Sequence, residues 1–302
     1  MSDTEKAWAT NASDGSLVPG HPEELNTGAK MAKVQFSCSD DRIKGVAACM
    51  SDVGQHRERQ EDSVLCQPPL FVVADGMGGL VGGDLASQTA VNTLLSYASE
   101  IKDEVTLTDA IQEANKKVEA LQEERKLPQI GTTAVAGLIG NNTMLIANVG
   151  DSRAYVLSQG ALFQVTRDHS AVQDMVDKGE LLPEEAATHP KSGVITRWLG
   201  IEGALKIDTY ATPLRAGDRW LFCSDGLYDM VKQNDILQIM LRSKEIEVCT
   251  RSLVDAANKQ GGTDNISVIV VDIDAAEDAT SSVKRPSLIS VFFTRNKESF
   301  HA

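Results

Sequence analysis

The order of strand-like and helix-like stretches constrains the fold of this chain more than any other feature. Short apolar runs such as Leu70–Ala74 have the length and continuity of strands buried on both faces. Stretches with apolar residues at helical spacing come in adjacent pairs, 84–102 with 107–126 and Gln233–Arg242 with 245–259. Strand runs lie before, between and after these pairs. Because the two kinds of element are grouped and do not alternate, the pattern predicts an α+β fold with helices outside two sheets.

Further strands are predicted from short apolar runs that end at turn residues. The four runs between residues 132 and 166 are separated by Gly, Asn and Asp residues, which is typical of an antiparallel meander. The other predicted strands are 46–50, 204–211, 219–223 and 266–273.

The chain divides into three parts by composition. Residues 1–41 are rich in Ser, Thr, Asn, Asp, Gly and Pro without an apolar period, and predict a flexible leader. Residues 42–274 carry the strand and helix patterns and predict one folded domain, in which the polar segment 168–200 is a mobile surface insertion. Residues 275–302 form a C-terminal tail. For its apolar stretch 287–294, packing on the domain or disorder is favoured over a docking strand or a membrane-contacting segment.

The formal net charge of −14 argues against a nucleic-acid partner, because phosphate backbones are bound mainly by basic surfaces. No secretory signal is visible and no stretch approaches the ~18 apolar residues of a spanning helix, so we expect a cytoplasmic protein without stable membrane insertion. The five cysteines are odd in number and lack C-x-x-C spacing, which favours buried thiols over disulfides or a zinc site. No apolar stripe is left over for a dimer, so we expect a monomer.

Acidic residues stand at the ends of several predicted strands. Asp75 and Asp225 each follow a buried run and precede a glycine, and Asp264 precedes the last strand. Asp62 opens a short strand and Asp151 follows another. Aspartate is also common in turns, where its side chain hydrogen-bonds to the backbone, so each residue alone is explained by a turn. Five such acids in one chain favour a second explanation, in which the sheets bring the carboxylates together.

Carboxylates that converge repel one another unless protons or cations neutralise them. Ligand sets made only of oxygen suit hard ions such as Mg²⁺ or Mn²⁺, and two such ions ~4 Å apart are a recurring device for hydrolysing phosphate esters. Arg57 lies just before Glu61 and Asp62 and carries the planar, bidentate group that binds phosphoryl oxygens. The pattern therefore favours phosphate-ester chemistry.

Other chemistries fit the sequence less well. Four glycines before a helix lack both the G-K-[ST] ending of a P-loop and the G-x-G-x-x-G spacing, so tight backbone passage is favoured over a nucleotide cradle. They are Gly78, Gly79, Gly82 and Gly83. The five histidines form no close metal pair, and no G-x-S-x-G elbow of a serine hydrolase occurs.

Taken in order, the motifs of this chain resemble those of the metal-dependent protein phosphatase (PPM) family, and most of all its compact bacterial branch. The resemblance extends from about Lys44 to Ile273, and it is the order and spacing of the motifs that make it specific. The motifs are Ser51-Asp52-Val53-Gly54, Arg57, Glu61-Asp62, Asp75-Gly76-Met77-Gly78-Gly79, Gly131-Thr132-Thr133, Val149-Gly150-Asp151-Ser152-Arg153, Asp168-His169-Ser170, Val194-Ile195-Thr196-Arg197, Ser224-Asp225-Gly226-Leu227-Tyr228-Asp229 and Gly262-Thr263-Asp264-Asn265.

The resemblance implies a four-layer αββα fold, in which a β-sandwich of two antiparallel sheets is flanked by pairs of helices. It implies a protein serine/threonine phosphatase that hydrolyses phosphoserine and phosphothreonine esters, with a metal-activated water attacking phosphorus in line. Two core Mn²⁺ or Mg²⁺ ions and a weaker third are the expected cofactors. Phosphorylated proteins are the expected partners, with a cognate serine/threonine kinase or its substrates as the first choice.

The same resemblance assigns the core metal ligands. Asp75 is expected to bridge two metal ions, and the Gly76 carbonyl to bind one of them. Asp225 and Asp264 are expected to hold the other ion, and Glu61 to act through a metal-bound water.

Four further residues match family positions around this core. Asp62 is expected to support the cluster, and Asp151 and Asp229 match the positions that hold a weaker third metal in bacterial members. Arg57 matches the phosphate-binding arginine. The segment 168–200 matches the flap beside the active site, which influences substrate choice in the family.

Three positions depart from the family pattern, and two of them, Met77 and Leu80, leave the general acid for the leaving group unassigned. Gln60 stands where many bacterial relatives carry Asn, Met77 where animal members carry a histidine proposed as general acid, and Leu80 where many bacterial members have His. A metal-bound water and His56, next to Arg57, are the two candidates.

Two other functions remain open on the sequence. A regulatory pseudo-phosphatase would bind phosphoproteins without turnover, although none of the expected metal-ligand aspartates is lost. A phosphatase of the same fold that acts on anti-sigma-factor antagonists usually carries a sensor domain, for which the leader offers no room.

Overall fold

The computed structural model describes residues 8–10, 17–19, 30–38, 42–78, 82–127 and 129–276. Its strands are β1 (Trp8–Thr10), β2 (Leu17–Pro19), β3 (Lys30–Cys38), β4 (Ile43–Asp52), β5 (Ser63–Gln67), β6 (Leu70–Ala74), β7 (Gly76–Met77), β8 (Gly131–Thr132), β9 (Ala134–Gly140), β10 (Thr143–Val149), β11 (Arg153–Ser158), β12 (Ala161–Gln164), β13 (Asp208–Pro213), β14 (Arg219–Cys223) and β15 (Ile266–Ala275). Its helices are α1 (Gly83–Ser96), α2 (Glu104–Arg125), α3 (Ala171–Asp177), α4 (Pro183–Ala186), α5 (Asp225–Tyr228), α6 (Gln233–Arg242) and α7 (Ile246–Lys259).

Two antiparallel sheets form the middle of the molecule. One has five strands in the order β13-β10-β9-β6-β5, and the other has six in the order β12-β11-β14-β15-β4-β3. Two short pairs, β1 with β2 and β7 with β8, complete the described strands. Neighbouring strands in both sheets run antiparallel throughout. The predicted α+β sandwich is confirmed.

Aromatic side chains fill the space between the two sheets. Phe71 of β6 and Phe222 of β14 stack with their ring centroids 6.3 Å apart, and Phe36 of β3 meets Phe71 edge-on at 6.1 Å. Trp220 is fully buried in the same cluster. Each ring of this kind removes about 150–250 Å² from water. Because the rings come from both sheets, their burial holds the sheets face to face.

Helices cover the outer face of each sheet. Leu94 of α1 and Ile111 of α2 pack with Val72 of β6 in one buried cluster. On the six-stranded sheet, residues of α6 and α7 such as Leu253 pack with Leu221 of β14 in another cluster. The expected four layers, helices outside two sheets, are therefore present.

The predicted leader of residues 1–41 is too long, because β3 lies within it. This strand pairs with β4 along its whole length, from Lys30 opposite Ser51 to Cys38 opposite Ile43. Its side chains alternate, with Val34, Phe36 and Cys38 half-buried and the residues between them exposed. The alternation is the period of a half-buried strand, and the polar composition around it obscured the signal. Strands β1 and β2 also lie within this range, and the tail beyond residue 276 lies outside the described residues.

The predicted meander between residues 132 and 166 is also wrong as a single unit. Strands β9 and β10 form a hairpin in the five-stranded sheet, whereas β11 and β12 form a hairpin in the six-stranded sheet. The chain crosses from one sheet to the other at residues 150–152. Turn residues mark where strands end, but they do not state which sheet the next strand joins.

Several boundaries differ by a few residues from the predicted ones. Helix α1 ends at Ser96 and not at 102, and β13 begins at 208 and not at 204. Helix α2 begins at Glu104 and not at 107. Asp103 is its N-cap, and the Asp103 Oδ1 accepts the Thr106 backbone N–H at 2.9 Å.

Burial of the cysteines agrees with the sequence prediction. All five thiols are free, and four of them are buried while Cys38 is half-buried. Within the described part of the chain, no helix is both long and apolar enough to cross a membrane.

Close packing between the sheets predicts a position-specific cost of adding one methyl group. A Cβ on Gly137 of β9 would clash with the ring of fully buried Phe222, whereas a Cβ on Gly140 of the same strand would make an ordinary contact at 3.7 Å. Gly137→Ala should lower the free energy of unfolding by about 1–3 kcal/mol, the usual cost of overpacking. Gly140→Ala is the matched control and should stay within about 0.5 kcal/mol of wild type. Urea unfolding measures both, and equal effects of the two substitutions would contradict this packing.

Candidate active site

The predicted acidic residues lie where strands of both sheets end at the same end of the sandwich. Asp75 directly follows β6, and Asp151 follows β10. Asp225 begins α5 after β14, and Asp264 stands two residues before β15. Asp62 stands just before β5. Because neighbouring strands fix the positions of these ends, residues far apart in sequence are placed beside one another.

Asp62 is one of the two buried carboxyl groups of this set, together with Asp151. It is 7% exposed, and its Oδ2 accepts a hydrogen bond of 2.8 Å from the hydroxyl of Ser224. Burial raises the pKa of Asp62 to about 6, although hydrogen bonds from Ser224, Ser267 and Asp75 oppose the rise. Asp62 and Asp75 are therefore close enough for one carboxyl group to donate to the other.

The pKa values of Asp75 and Asp225 are strongly shifted by burial and by neighbouring acids. Burial raises the pKa of each well above its ordinary value, and the negative charges of Asp62, Asp151 and Asp264 raise both further. The Asp225 Oδ1 atom is buried and has no hydrogen-bond partner among the described residues. A buried acceptor without a donor is costly, and a bound cation is one of the few ways to satisfy it.

Asp151 and Asp229 form the other side of the cluster. Burial raises the pKa of Asp151 to about 7, and the nearby carboxylates of Asp168 and Asp229 raise it further. Burial also raises the pKa of Asp229, while the positive charge of Arg153 opposes this rise.

Arg57 lies at the edge of the cluster, between two of its acids. Its Nη2 lies 2.6 Å from Asp264 Oδ2, and its Nη1 lies 3.8 Å from Glu61 Oε2. The guanidinium side chain is 47% exposed, so it is open to solvent and to a ligand. Burial raises the pKa of Glu61, and the charge of Arg57 opposes this rise.

Gly76 is required by a close approach of three chain segments. A Cβ at this position would clash with the carbonyl oxygens of Glu61 and Gly83. No larger residue fits here, so the backbone after Asp75 passes directly beside the Glu61 segment.

Asn265 fixes the loop that carries Arg57 and Glu61. Its Oδ1 accepts the Glu61 backbone N–H at 2.7 Å. Its Nδ2 donates to the carbonyl oxygens of Val53 at 3.0 Å and Arg59 at 2.9 Å. One amide side chain therefore ties the start of β15 to the whole 53–61 loop.

The supporting residues were not given roles by sequence reasoning, although they stand beside the predicted acids. Ser224 precedes Asp225 and holds Asp62, and Asn265 follows Asp264. Thr133 Oγ1 accepts the Asp75 backbone N–H at 2.9 Å. Their place in the sequence motifs next to the predicted acids could have indicated a supporting role. Their contacts could not be predicted, because these depend on how the strands pair.

The predicted flap has a fixed base. It begins at buried Asp168, and its two ends meet at a bridge between Ser170 and Ile195. Arg167 binds two residues of α3, with its Nη2 2.6 Å from Asp174 and its Nε 2.6 Å from Asp177. Mobility of the segment 168–200 remains a prediction.

The candidates for the leaving-group acid stay predictions as well. His56 is exposed on the loop that carries Arg57, and Met77 is half-buried close to Gly131. Leu80 and Gly79 lie outside the described residues.

The chemistry of the cluster fits divalent cations. Its side chains offer only oxygen atoms, which suit Mg²⁺ and Mn²⁺. The unpartnered Asp225 Oδ1 and the mutual repulsion of Asp75 and Asp225 are both features that a cation removes. Within ranges 30–38, 42–78, 82–127 and 129–276, no three acidic, histidine or cysteine side chains already meet as a finished metal site.

Known proteins with similar sequences are protein phosphatases. A family model described as protein phosphatase 2C matches residues 56–257. Serine/threonine phosphatase stp of Listeria monocytogenes is 39% identical over 219 residues, covering 69% of this chain and 86% of that protein. Serine/threonine protein phosphatase PstP of Mycobacterium tuberculosis is 38% identical over 233 residues, covering 75% of this chain and 44% of that protein.

A solved structure extends the likeness to three dimensions. It is the crystal structure of the catalytic domain of the serine/threonine protein phosphatase PstP in complex with two manganese ions. The TM-score is 0.68 at 33% sequence identity, over 82% of this chain and 99% of that chain.

Fold, acidic cluster and relatives together define a metal-dependent phosphoprotein phosphatase. Its cofactors are divalent cations, Mn²⁺ or Mg²⁺. The chain belongs to the protein phosphatase 2C family.

The raised carboxyl pKa values predict how the stability of the metal-free protein depends on pH. Asp62 and Asp151 ionise near pH 6 and 7 in the folded protein, against about 4 in the unfolded chain. The folded state thus binds more protons across this range, so the free energy of unfolding should fall as the pH rises from about 4 to about 7. We expect the Tm of metal-free protein to drop by about 5 °C between pH 5 and pH 7.5.

The matched control is the double variant Asp62→Asn, Asp151→Asn, whose Tm should change less over the same interval. Added Mn²⁺ should raise the Tm more at pH 7.5 than at pH 5, because protons compete with the cation. A wild-type Tm that rises from pH 5 to pH 7.5 without metal would contradict the assignment of these pKa values.

Proposed function

We propose that this serine/threonine protein phosphatase uses the acidic cluster to hold two Mn²⁺ or Mg²⁺ ions and uses Arg57 to bind the phosphoryl group of its substrate. Asp75 would be a ligand shared by the two ions, and the Gly76 carbonyl would contribute to one of them. Asp225 and Asp264 hold the other ion.

The proposal depends most on the unsatisfied carboxylate oxygen of Asp225 and on the negative charges around it. Its Oδ1 is buried without a hydrogen-bond partner among the described residues, and the charges of Asp151, Asp264 and Asp229 all act on it. A protein that needed only a folded turn at this position would place a donor there. The missing donor and the unneutralised negative charges at Asp225 therefore support a role in cation binding.

Bound divalent ions would lower the pKa of water and neutralise charge on the phosphoryl oxygens, which is the chemistry that phosphate-ester hydrolysis requires. The chain itself supplies the geometry around them. Asn265 fixes the backbone of the loop at Glu61 through the 2.7 Å bond from the Glu61 N–H, and the Glu61 carboxylate lies 3.8 Å from Arg57 Nη1. Ser224 holds Asp62 in place, which keeps that carboxylate as a support beside Asp75.

Arg57 is suited to bind a phosphoryl group because it is exposed and already surrounded by acceptors. Its contact with Asp264 shows that its guanidinium reaches an oxygen atom at this edge of the cluster. A phosphoryl group at the same edge would take the place of that carboxylate as partner, through paired N–H donors.

Asp151 and Asp229 are proposed to hold the weaker third ion. Both carry raised pKa values from burial, and both lie on the side of the cluster that adjoins Asp168 at the flap base. The segment 168–200 is proposed as the substrate-contacting flap of a folded phosphatase domain that spans residues 30–276.

The phosphorylated proteins that serve as substrates are proposed to be a cognate serine/threonine kinase or the substrates of that kinase, in the cytoplasm. The protein is proposed to act there as a monomer.

Removal of one core ligand tests the proposed site. Asp225→Asn should lower Mn²⁺-dependent phosphate release from a phosphothreonine peptide by more than about 100-fold. Even the loss of a residue behind the metal ligands commonly lowers metal affinity or activity by about 10- to 100-fold. Asp235→Asn, an acid-to-amide change on the exposed first turn of α6, is the matched control and should leave the rate unchanged.

Two outcomes would contradict the proposal. One is equal activity of Asp225→Asn and wild type. The other is tight phosphopeptide binding by wild type without phosphate release, which would favour a regulatory pseudo-phosphatase.

Loss of the arginine should weaken substrate binding. Arg57→Ala should lower kcat/KM for the phosphothreonine peptide by about 10- to 100-fold, the usual value of hydrogen bonds between charged groups, with most of the change in KM. Arg251→Ala, on the exposed face of α7, removes a comparable charge elsewhere and is the control. Steady-state kinetics at saturating Mn²⁺ measures both, and an unchanged kcat/KM for Arg57→Ala would exclude the role in phosphate binding.

A further inference from the structure

An arginine, a tyrosine and an aspartate form a connected group directly behind the proposed third-ion residues. Arg153, the first residue of β11, binds Asp168 through two nitrogens, with Nη2 2.6 Å from Oδ2 and Nε 3.0 Å from Oδ1. Its guanidinium also lies over the ring of Tyr228, with Cζ 3.5 Å from the ring centroid. Asp168 is 6% exposed, so this pair is largely shielded from solvent. Stacking and bidentate pairing together fix the plane of the guanidinium.

Tyr228 connects this group to both acids. Its hydroxyl donates to the backbone carbonyl of Asp151 at 3.0 Å. Tyr228 is also the last residue of α5, directly before Asp229 in the chain. A rigid ring held by Arg153 therefore sets the distance between the Asp151 turn and the helix end that carries Asp229.

The flap base holds the same turn from its other side. Gly150 donates its N–H to His169 Nδ1 at 3.0 Å, and the His169 backbone N–H donates to the Gly150 carbonyl at 2.9 Å. Because Asp168 and His169 are consecutive, two neighbouring residues of the flap base each secure the segment that carries Asp151. The turn has little freedom to move while the flap base is in place.

We propose that Arg153, Tyr228 and Asp168 are positioning residues for the third cation, which set its affinity through Asp151 and Asp229 without touching it. The inference rests on the proposed role of those two acids. Residues behind metal ligands commonly govern ligand orientation, and their loss costs about 10- to 100-fold in metal affinity. The simpler alternative is that the Arg153–Asp168 pair only stabilises the fold.

The fold contains a matched pair that separates these two explanations. Arg219 binds Asp272 in the same bidentate manner, with its Nε 2.5 Å from Oδ1 and its Nη2 2.7 Å from Oδ2. Its side chain is 11% exposed, against 23% for Arg153. Arg219 also donates to carbonyl oxygens at the end of α6, so its role is structural. Arg219→Lys is therefore the control, because it measures how much stability is lost when a bidentate ion pair is broken far from the acidic cluster.

The test titrates the full-length, metal-free protein with Mn²⁺ alone and follows free Mn²⁺ by electron paramagnetic resonance. Arg153→Lys should shift the weaker binding phase to about 10-fold higher Mn²⁺ and leave the tight phase unchanged. Tyr228→Phe, which loses one hydroxyl and keeps the ring, should shift the weaker phase by about threefold. Arg219→Lys should lower the Tm and leave both phases unchanged. The Mn²⁺ concentration for half-maximal phosphatase activity should move with the weaker phase.

Each contrary result has a distinct meaning. A weaker phase that moves in Asp151→Asn but in neither Arg153→Lys nor Tyr228→Phe would overturn the positioning proposal alone. A weaker phase that stays unchanged in Asp151→Asn would overturn the assignment of the third ion, and the positioning proposal with it. If Arg153→Lys does not fold, Tyr228→Phe decides the question, because it leaves the Arg153–Asp168 pair intact.

Discussion

Repulsion among carboxylates at one end of the sandwich is the constraint on which the rest of this structure depends. Asp75 and Asp225 are surrounded by further acids and have pKa values well above the ordinary range. Like charges at such distances oppose folding unless protons or cations neutralise them. The fold must therefore be strong enough elsewhere to hold the acids together before a cation arrives. The aromatic layer between the sheets, with Phe71, Phe222 and Trp220, is placed to provide that strength.

The acids are also held at fixed positions by neutral partners. Ser224, Thr133 and Asn265 each donate to or accept from a residue of the cluster, and none of them adds charge. Hydroxyl and amide groups stabilise the geometry without neutralising the carboxylates. The cluster therefore keeps its affinity for cations while its backbone stays in place, which is what a preorganised metal site needs.

Local patterns explain why most of the fold could be predicted from the sequence. Buried runs such as β6 and the amphipathic pair α6 and α7 carry strong periodic signals, and the acids at strand ends follow from where those runs stop. Strand β3 was missed because its alternation is short and lies in a polar stretch. The placement of β10 and β11 in different sheets was missed because sheet membership depends on long-range pairing, which a turn motif does not encode. The same limit applies to Tyr228 and Arg153, whose contacts exist only after the sheets have formed.

The pairing of β4 with β15 has a consequence for how the protein is made. It brings Asp52 opposite Ile266, so two central strands of the six-stranded sheet come from opposite ends of the domain. Folding rates fall when contacts join residues far apart in the chain, because the intervening loop must be closed first. During synthesis, Asp264 reaches Arg57 only after nearly the whole domain has left the ribosome. A chain that ends before Asp264 therefore lacks both this acid and strand β15, which pairs with β4, so the acidic cluster is completed late in synthesis.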